Sequence, residues 1–515
     1  MQKHYRYSKH LLVVFILVSA ALGLMRFDSL QIGASYDDAH YIILAESLSS
    51  GQGYQLINFP RPQIERAFPP GWSLLLAPLT FLFPGNYSVL KIFSLLLSLS
   101  SILLTYKIFS KRLSSPFLEM LTGLVALNPL LVGASVTVMS ESAYLFFSLL
   151  ALYLFDNWKP SPQPALSLRE RRMSDWLIAL IAFLAFYTQL IRTIGISLFL
   201  ALIIFLLFTR RFRETGIVVG VFIAGTLLQG WVSGVLISSG YQSQVFNSSV
   251  PEKLGQMGSN ALGYFNETLA GSLIPVFGSN LTSYLGAFNL EFIPALLNIL
   301  VLSFIVLGAA SRKRIEPLDV YAAIYLFGIL AFWNPRVGSV KARFLIPIIP
   351  LLYFYFLQGL AWAAEKVNRN RINFGTSVAA VLIALILLAR NVQDWRSPVM
   401  NQMTDLSIGA SWVAENAPPD AIVMVNEPVP SYPHVRRKTI NFPKQGQDLR
   451  KYLDNQGIDY IIIAPPLGSP RSTKLDKGVE KYLSVLDAEP VAFVAVFSDP
   501  ENNVTVYEYK NQEQP

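Results

Sequence analysis

The 515-residue chain contains no cysteine. Disulfides and thiolate chemistry are therefore excluded, and a zinc site would have to be built from histidine and carboxylates alone. Histidine is also scarce, with four in the whole chain, which argues against a His-rich metal centre. Charge is the third shortage: charged residues make up 14%, where an ordinary soluble protein carries about 25%. What the chain has instead is apolar residues, 53% of the total. Before residue 390 they gather in runs of about 17–25 residues, the length that crosses a bilayer. The net charge of +8 does not point to nucleic acid. The Lys and Arg residues lie mostly in short tails and loops between apolar runs, as membrane topology selection produces.

These runs predict a polytopic α-helical membrane protein with about eleven spans, range about 10–13. They are placed at 10–27, 86–108, 117–136, 142–157, 175–191, 194–209, 215–238, 291–310, 318–334, 344–363 and 373–390. The run 71–83 is apolar but short, and reads either as a juxtamembrane helix or as the start of the second span. The first run follows Lys3, Arg6 and Lys9, as a signal peptide would. It lacks a small-residue cleavage site and is followed by Arg26-Phe27-Asp28, so it reads as a retained span.

Charge alternation sets the orientation. With the N-terminus inside, the inside segments hold Lys107/Lys111/Arg112, Lys159/Arg169/Arg171/Arg172, Arg210/Arg211/Arg213, Arg312/Lys313/Arg314 and Lys366/Arg369/Arg371. The outside loops before residue 390 hold only Arg26, Arg61, Arg66, Arg192, Lys253, Arg336, Lys341 and Arg343. Basic residues favour the cytoplasmic side, so the acidic loop at 28–85 and the tail from 395 are expected on the outer side of the membrane, with the N-terminus cytoplasmic.

The tail, 395–515, is more polar and is expected to form a small soluble α/β domain beside a membrane domain spanning 1–394. Thr404 to Asn416 reads as an amphipathic helix ending before Pro418-Pro419. Gln447 to Gln456 reads as a helix stopped by Gly457. Residues 421–425, 459–464, 491–497 and 504–509 read as strands. No Gly-rich phosphate loop and no catalytic triad pattern is present.

The first outside loop carries the most chemistry. Residues 36–50 have helical periodicity, with Tyr41, Leu44, Ala45 and Leu48 on one stripe. Asp37 and Asp38 stand in the first turn, where the helix dipole favours negative charge. Neighbours on a helix are about 100° apart, so the two carboxylates cannot share one direction. One would face a cavity and the other would cap the helix or bind elsewhere. The plainer reading makes both acids an N-cap. The same loop also holds His40, Glu65 and Arg66, and Pro69-Pro70-Gly71-Trp72 turns the chain back toward the membrane.

Several motifs occur together here. They are a basic N-terminus, one span, an Asp-Asp-x-x-Tyr-x-x-x-Ala helix at 37–45, Gly-x-Gly-Tyr at 51–54 and the Pro-Pro-Gly turn. Later come Met139-Ser140-Glu141-Ser142, Leu190-Ile191-Arg192 and Ala342-Arg343-Phe344-Leu345-Ile346-Pro347. With many further spans, this pattern resembles the GT-C superfamily of membrane glycosyltransferases. Within it, the pattern resembles the branch of protein O-mannosyltransferases and lipid A aminoarabinose transferases. The resemblance covers most of residues 1–390, and the tail from Ala410 to Asn416 resembles the external domains of bacterial members.

The resemblance implies an inverting transfer of a sugar from a polyprenyl phosphate in the membrane to a lipid, glycan or protein acceptor. A phosphate leaving group needs cations more than a strong general acid, and the acceptor hydroxyl needs a base. By motif position, Asp37 matches the catalytic acid and Asp38 the acidic position after it. His40 lies where the aminoarabinose transferases carry a basic residue. Glu65-Arg66 resembles their acid–base pair before the double proline, although Ala67-Phe68 intervenes here. Arg192 lies between two apolar runs, where a charge is functional by default or snorkels to the interface. Arg343 is favoured for phosphate contact because a guanidinium binds it bidentately; it and Lys341 could equally anchor the interface. Glu141 is a substrate-site candidate, against the alternative that Ser140 and Glu141 cap a helix. Asp37, Asp38, His40 and Glu65 are of types that hold a hard metal, but no metal or other cofactor is predicted.

Two other function classes remain. A transporter or flippase of lipid-linked sugars would place charges inside spans and pair broken helices. The ionisable residues here cluster at span ends, and no internal repeat is evident. A non-catalytic scaffold would leave the first-loop constellation without a purpose.

Overall fold

The computed structural model describes residues 2–158, 168–233, 249–275, 292–331, 340–367, 369–396, 404–444, 447–465, 475 and 477–510. Lys159, Arg336 and the C-terminal ends of the expected spans 215–238 and 318–334 lie outside the described residues. Six helices are long and apolar enough to cross a membrane: Ser8–Met25, Tyr87–Phe109, Arg172–Ile191, Phe212–Gly230, Ala342–Ala363 and Val378–Arg396. A seventh crossing is made if the bent pair Phe117–Leu127 and Pro129–Ser135 counts as one span. The other expected spans fall on Glu141–Asn157, Ile196–Phe208, Phe292–Ala310 and Pro317–Ala331, whose described apolar stretches are shorter than 18 residues.

The run 117–136 is a bent pair and not the single straight helix that its hydropathy suggests. The two pieces meet at 52°. Pro129 has no N–H for the preceding helix, and Asn128 caps the second piece by accepting hydrogen bonds from the Leu130 and Leu131 amides at 3.0 and 3.3 Å. The run 71–83 also resolves: Gly71–Leu82 is a separate helix, distinct from Tyr87–Phe109.

The helices pack in a continuous body. Gln2–Met25 lies against Tyr87–Phe109 and Phe117–Leu127. Tyr87–Phe109 lies against Glu141–Asn157, which in turn meets Leu168–Ile191. One apolar core runs through these helices, from Leu12 to Leu387. At the end away from the carboxylate loop, Arg112 and Arg312 tie the chain together. Arg112 pairs with Asp156 and, at 2.6 Å, with Glu316; Arg312 pairs with Glu316 and Asp319, both at 2.8 Å. These charges sit at helix ends and satisfy one another, which is how a lipid-embedded protein keeps ions.

Phe292–Ala310 and Ile349–Val367 approach at backbone distance. A Cβ on Gly308 would overlap the Tyr355 carbonyl, and one on Gly359 would overlap the Phe304 carbonyl. Glycine on both sides lets the backbones touch, the usual device where lipid supplies no hydrophobic drive between helices.

The tail forms a five-stranded sheet with spatial order 438–440, 422–424, 460–463, 504–509, 493–499. The first three strands are parallel and the last two join antiparallel. Alternation along the strands fills two cores. Val423, Val425 and Ile462 face the helix Thr404–Asn416, while Met424, Ile461 and Ile463 face Leu449–Gln456 and Lys477–Ala488. The helices at 404 and 449 and the strands at 422, 460, 493 and 504 coincide with the sequence expectation within a few residues. The helix Pro428–Val435 and the strand Lys438–Ile440 are additional to the segments read from the sequence.

Replacing Gly359 with alanine is expected to lower the apparent melting temperature of the detergent-solubilised protein. Gly220→Ala, where a Cβ meets nothing within 4 Å, should leave it unchanged. Equal melting curves for the two variants would refute the close-contact role.

Candidate active site

The carboxylate helix is Asp37–Ser49. Its start is forced by a tight turn: Tyr36 N–H donates to Gly33 O at 2.9 Å and Asp37 N–H to Ser35 O at 2.6 Å. Tyr36 itself has φ 62°, a left-handed value that costs a non-glycine residue about 1–3 kcal/mol and persists only where the surroundings impose it. The helix ends where Gly51 and Gly53, with φ 74° and 83°, turn the chain.

The two acids diverge, as the helical spacing requires. Asp37 points outward, and its Oδ2 lies 3.0 Å from Arg343 Nη1. Asp38 points inward and is 1% exposed. Its Oδ2 accepts the Gly33 amide at 2.9 Å and its Oδ1 accepts the Ala39 amide at 3.0 Å. Burial pushes the Asp38 carboxyl up to about 6, against the opposing pull of those two hydrogen bonds. Neither acid is the N-cap residue, which is Tyr36.

Behind Asp37 the ends of three further elements converge. Arg343 opens the segment Ala342–Ile348 ahead of the helix Ile349–Val367. Arg192 sits in the break between Leu168–Ile191 and Ile196–Phe208. Its Nη1 lies 2.6 Å from Glu141 Oε1 and donates to Ser140 Oγ at 3.2 Å. Tyr41 on the carboxylate helix donates to the same Ser140 Oγ at 3.2 Å. The Phe344 ring is shared by the two guanidiniums, with Arg343 at 5.5 Å and Arg192 at 5.9 Å from its centroid. Ser140 therefore bridges two site elements and makes no side-chain cap, contrary to the capping alternative.

The Pro-Pro-Gly turn positions Arg192. A Cβ on Gly71 would stand 2.6 Å from the Leu190 backbone, so only glycine lets the turn seat against the end of that helix. Tyr187 donates to Gly71 O at 2.9 Å, and Trp72 Nε1 to Val138 O at 3.0 Å. The turn thus touches the helix that ends just before Arg192 and the segment that leads into Glu141–Asn157.

The other sequence candidates lie apart. His40 is buried, stacked on Phe68 at 4.5 Å with Nδ1 3.3 Å from Tyr36 O, and burial pushes its imidazole below the usual value. Glu65 accepts from its own loop, including the Phe68 amide at 3.1 Å. The Arg66 and Lys341 side chains are exposed, and neither joins an ion pair among the described residues. Among the described residues no group of three or more His, Asp or Glu side chains could hold a metal ion. A cavity of about 460 Å³ is lined by Ile32, Pro84–Ser88 and Lys91, and no residue of the Asp37–Arg343–Arg192 cluster lines it. Sequence reasoning missed the bridging roles of Phe344 and Ser140. Both stand inside quoted motifs beside Arg343 and Glu141, and that adjacency was the available signal.

Because folding raises the Asp38 pKa above its ordinary 3.8, the folded protein holds more protons than the unfolded one between about pH 4 and 6. The contribution of Asp38 to stability is therefore greatest below about pH 4 and declines as pH rises to about 6, by about 1.4 kcal/mol per unit. Thermal unfolding from pH 4 to 7 should show the stability difference between wild type and Asp38→Asn shrinking as pH rises; parallel curves would contradict it.

Protein-family models and curated protein sequences give no match to this chain. Solved structures do. ArnT from Cupriavidus metallidurans, in a crystal structure bound to undecaprenyl phosphate, is 14% identical, with TM-score 0.60 over 97% of this chain and 98% of that one. The oligosaccharyltransferase AglB from Archaeoglobus fulgidus, in complex with an inhibitory peptide and a dolichol-phosphate, is 13% identical, with TM-score 0.53 over 99% of this chain and 75% of that one. Arabinofuranosyltransferase AftD from Mycobacteria is 14% identical, with TM-score 0.51 over 98% of this chain but 42% of its own. The chain thus shares its fold with these solved structures.

Proposed function

We propose that the protein is an inverting glycosyltransferase. It moves a sugar from a polyprenyl-phosphate donor to a lipid, glycan or protein acceptor at the outer face of a bacterial inner membrane. The observation that carries this reading is the Asp37–Arg343 contact at 3.0 Å, with Arg192 across the shared Phe344 ring. It places one carboxylate and two guanidiniums at helix ends on a fold whose solved relatives include a complex with undecaprenyl phosphate.

In a single displacement the acceptor oxygen attacks the anomeric carbon while its proton passes to Asp37. The bond from that carbon to the phosphate oxygen breaks, and the phosphate leaves with the electron pair. Inversion follows from one attack on the face opposite the leaving group. Arg343 is one-third exposed, and once it releases Asp37 its guanidinium can meet the phosphate bidentately. Arg192 is already committed to Glu141, so it supplies field and not direct ligation. His40 and Glu65 shape the loop around the base. Arg66 and Lys341, being exposed, suit the approach of an anionic lipid head group. The transmembrane body, residues 1–394, holds the polyprenyl chain. The tail, 395–515, lies in the periplasm with the carboxylate loop, and the N-terminus is cytoplasmic.

Asp37→Asn should retain the fold and lose sugar transfer in membranes by about 10²–10⁴-fold, the usual worth of a general base. Arg343→Gln should instead weaken binding of undecaprenyl phosphate. Undiminished transfer by folded Asp37→Asn would remove Asp37 as the base. Movement of the lipid-linked sugar without a new glycosidic bond would favour a flippase.

A further inference from the structure

The tail touches the carboxylate helix directly. The helix Pro428–Val435 packs along Asp37–Ser49, with Val429 buried among Ala39, Ile43 and Leu44. Beyond it, Arg436 donates to the Tyr87 hydroxyl at 3.2 Å, and Tyr87 donates to Glu46 near the end of the carboxylate helix at 3.0 Å. The next strand joins the loop that follows. The Thr439 amide donates to Asn58 O at 2.7 Å, Asn58 Nδ2 to Thr439 Oγ1 at 3.2 Å, and Lys438 Nζ to Ile57 O.

One contact leads to Asp38. His434 Nε2 lies 2.7 Å from the carbonyl oxygen of Ile32. A carbonyl only accepts, so Nε2 carries the proton and donates. The amide on the other side of that same peptide group is Gly33 N–H, which donates to Asp38 Oδ2 at 2.9 Å. His434, the 32–33 peptide and Asp38 thus form one hydrogen-bonded chain. A donor on the carbonyl polarises the peptide and strengthens its N–H as a donor, so the links reinforce each other. Gly33 has φ 91°, a backbone conformation that other residues rarely adopt, and this keeps the peptide turned between its two partners.

We infer that the tail positions the carboxylate helix, with His434 acting on Asp38 through the 32–33 peptide. His434 is a positioning residue; it touches neither Asp37 nor Arg343 among the described contacts. The site cations come from elements other than the tail, so phosphate binding should not depend on His434. Only the turnover part of the test rests on the glycosyltransferase reading.

The test uses the full chain in lipid nanodiscs and compares wild type, His434→Ala and His434→Gln, the glutamine offering an N–H at similar reach. In His434→Ala, amide exchange across residues 33–45 should rise about tenfold, the scale of one lost buried hydrogen bond. Exchange across Tyr87–Phe109 and Tyr460–Ile463 should stay at the wild-type level. Affinity for undecaprenyl phosphate should be unchanged, while turnover of a polyprenyl-phosphate sugar falls about tenfold at constant donor KM. His434→Gln should restore both exchange and turnover. Unchanged exchange at 33–45, or a rise spread over the whole chain, would overturn the inference. So would a loss of undecaprenyl-phosphate affinity matching the loss of turnover. If the wild-type protein turns over no such donor, the glycosyltransferase reading falls, and the exchange and affinity measurements still decide the role of His434.

Discussion

The Arg192–Glu141 ion pair is the fixed point around which the site is assembled. Glu141 is 2% exposed, and neither of its carboxylate oxygens accepts an aligned hydrogen bond among the described residues. An anion in that position is tolerated only beside a cation, and a pair so placed can cost as much in desolvation as it returns in attraction. It therefore has to be explained by what it organises. It pins the start of the helix Glu141–Asn157 to the break after Leu168–Ile191. Through Ser140 it also reaches Tyr41 on the carboxylate helix.

With Arg192 held, the rest of the electrostatics divides by partner. Arg343 has the outward acid, Asp37, and the inward acid, Asp38, has two backbone amides. The first arrangement is half-open to solvent and can exchange partners. The second is buried and fixed. Adjacent residues of one type thus have separate work, set by the rotation between neighbours on a helix and by what each side meets.

The tail is the other anchor. The carboxylate helix lies between the membrane body and the helix Pro428–Val435, with apolar contact on both sides. Its first turn is strained at Tyr36, and strain of that kind persists where the surrounding structure over-determines it. The helix Gly71–Leu82 on one side, where Ser73 donates to Tyr41 O at 3.2 Å, and the tail on the other hold the carboxylate helix in place.

Much of this was legible in the order of residues. Apolar runs marked the long helices because lipid selects for length and hydropathy. Alternation and a glycine stop marked most of the tail, since strand period and helix capping are local properties. The acids of the first loop, Arg192, Glu141 and Arg343 were visible as charges standing at the ends of apolar runs. The bend at Asn128-Pro129 is not legible because hydropathy carries no direction, and the helix at 428–435 carries three prolines, which weaken any local helix signal. Pairing lay beyond the sequence altogether. Whether Arg343 meets Asp37, whether Arg66 stays in solvent, and whether His434 reaches a peptide four hundred residues earlier depend on how distant segments pack. No periodicity along the chain encodes which buried charge will face which.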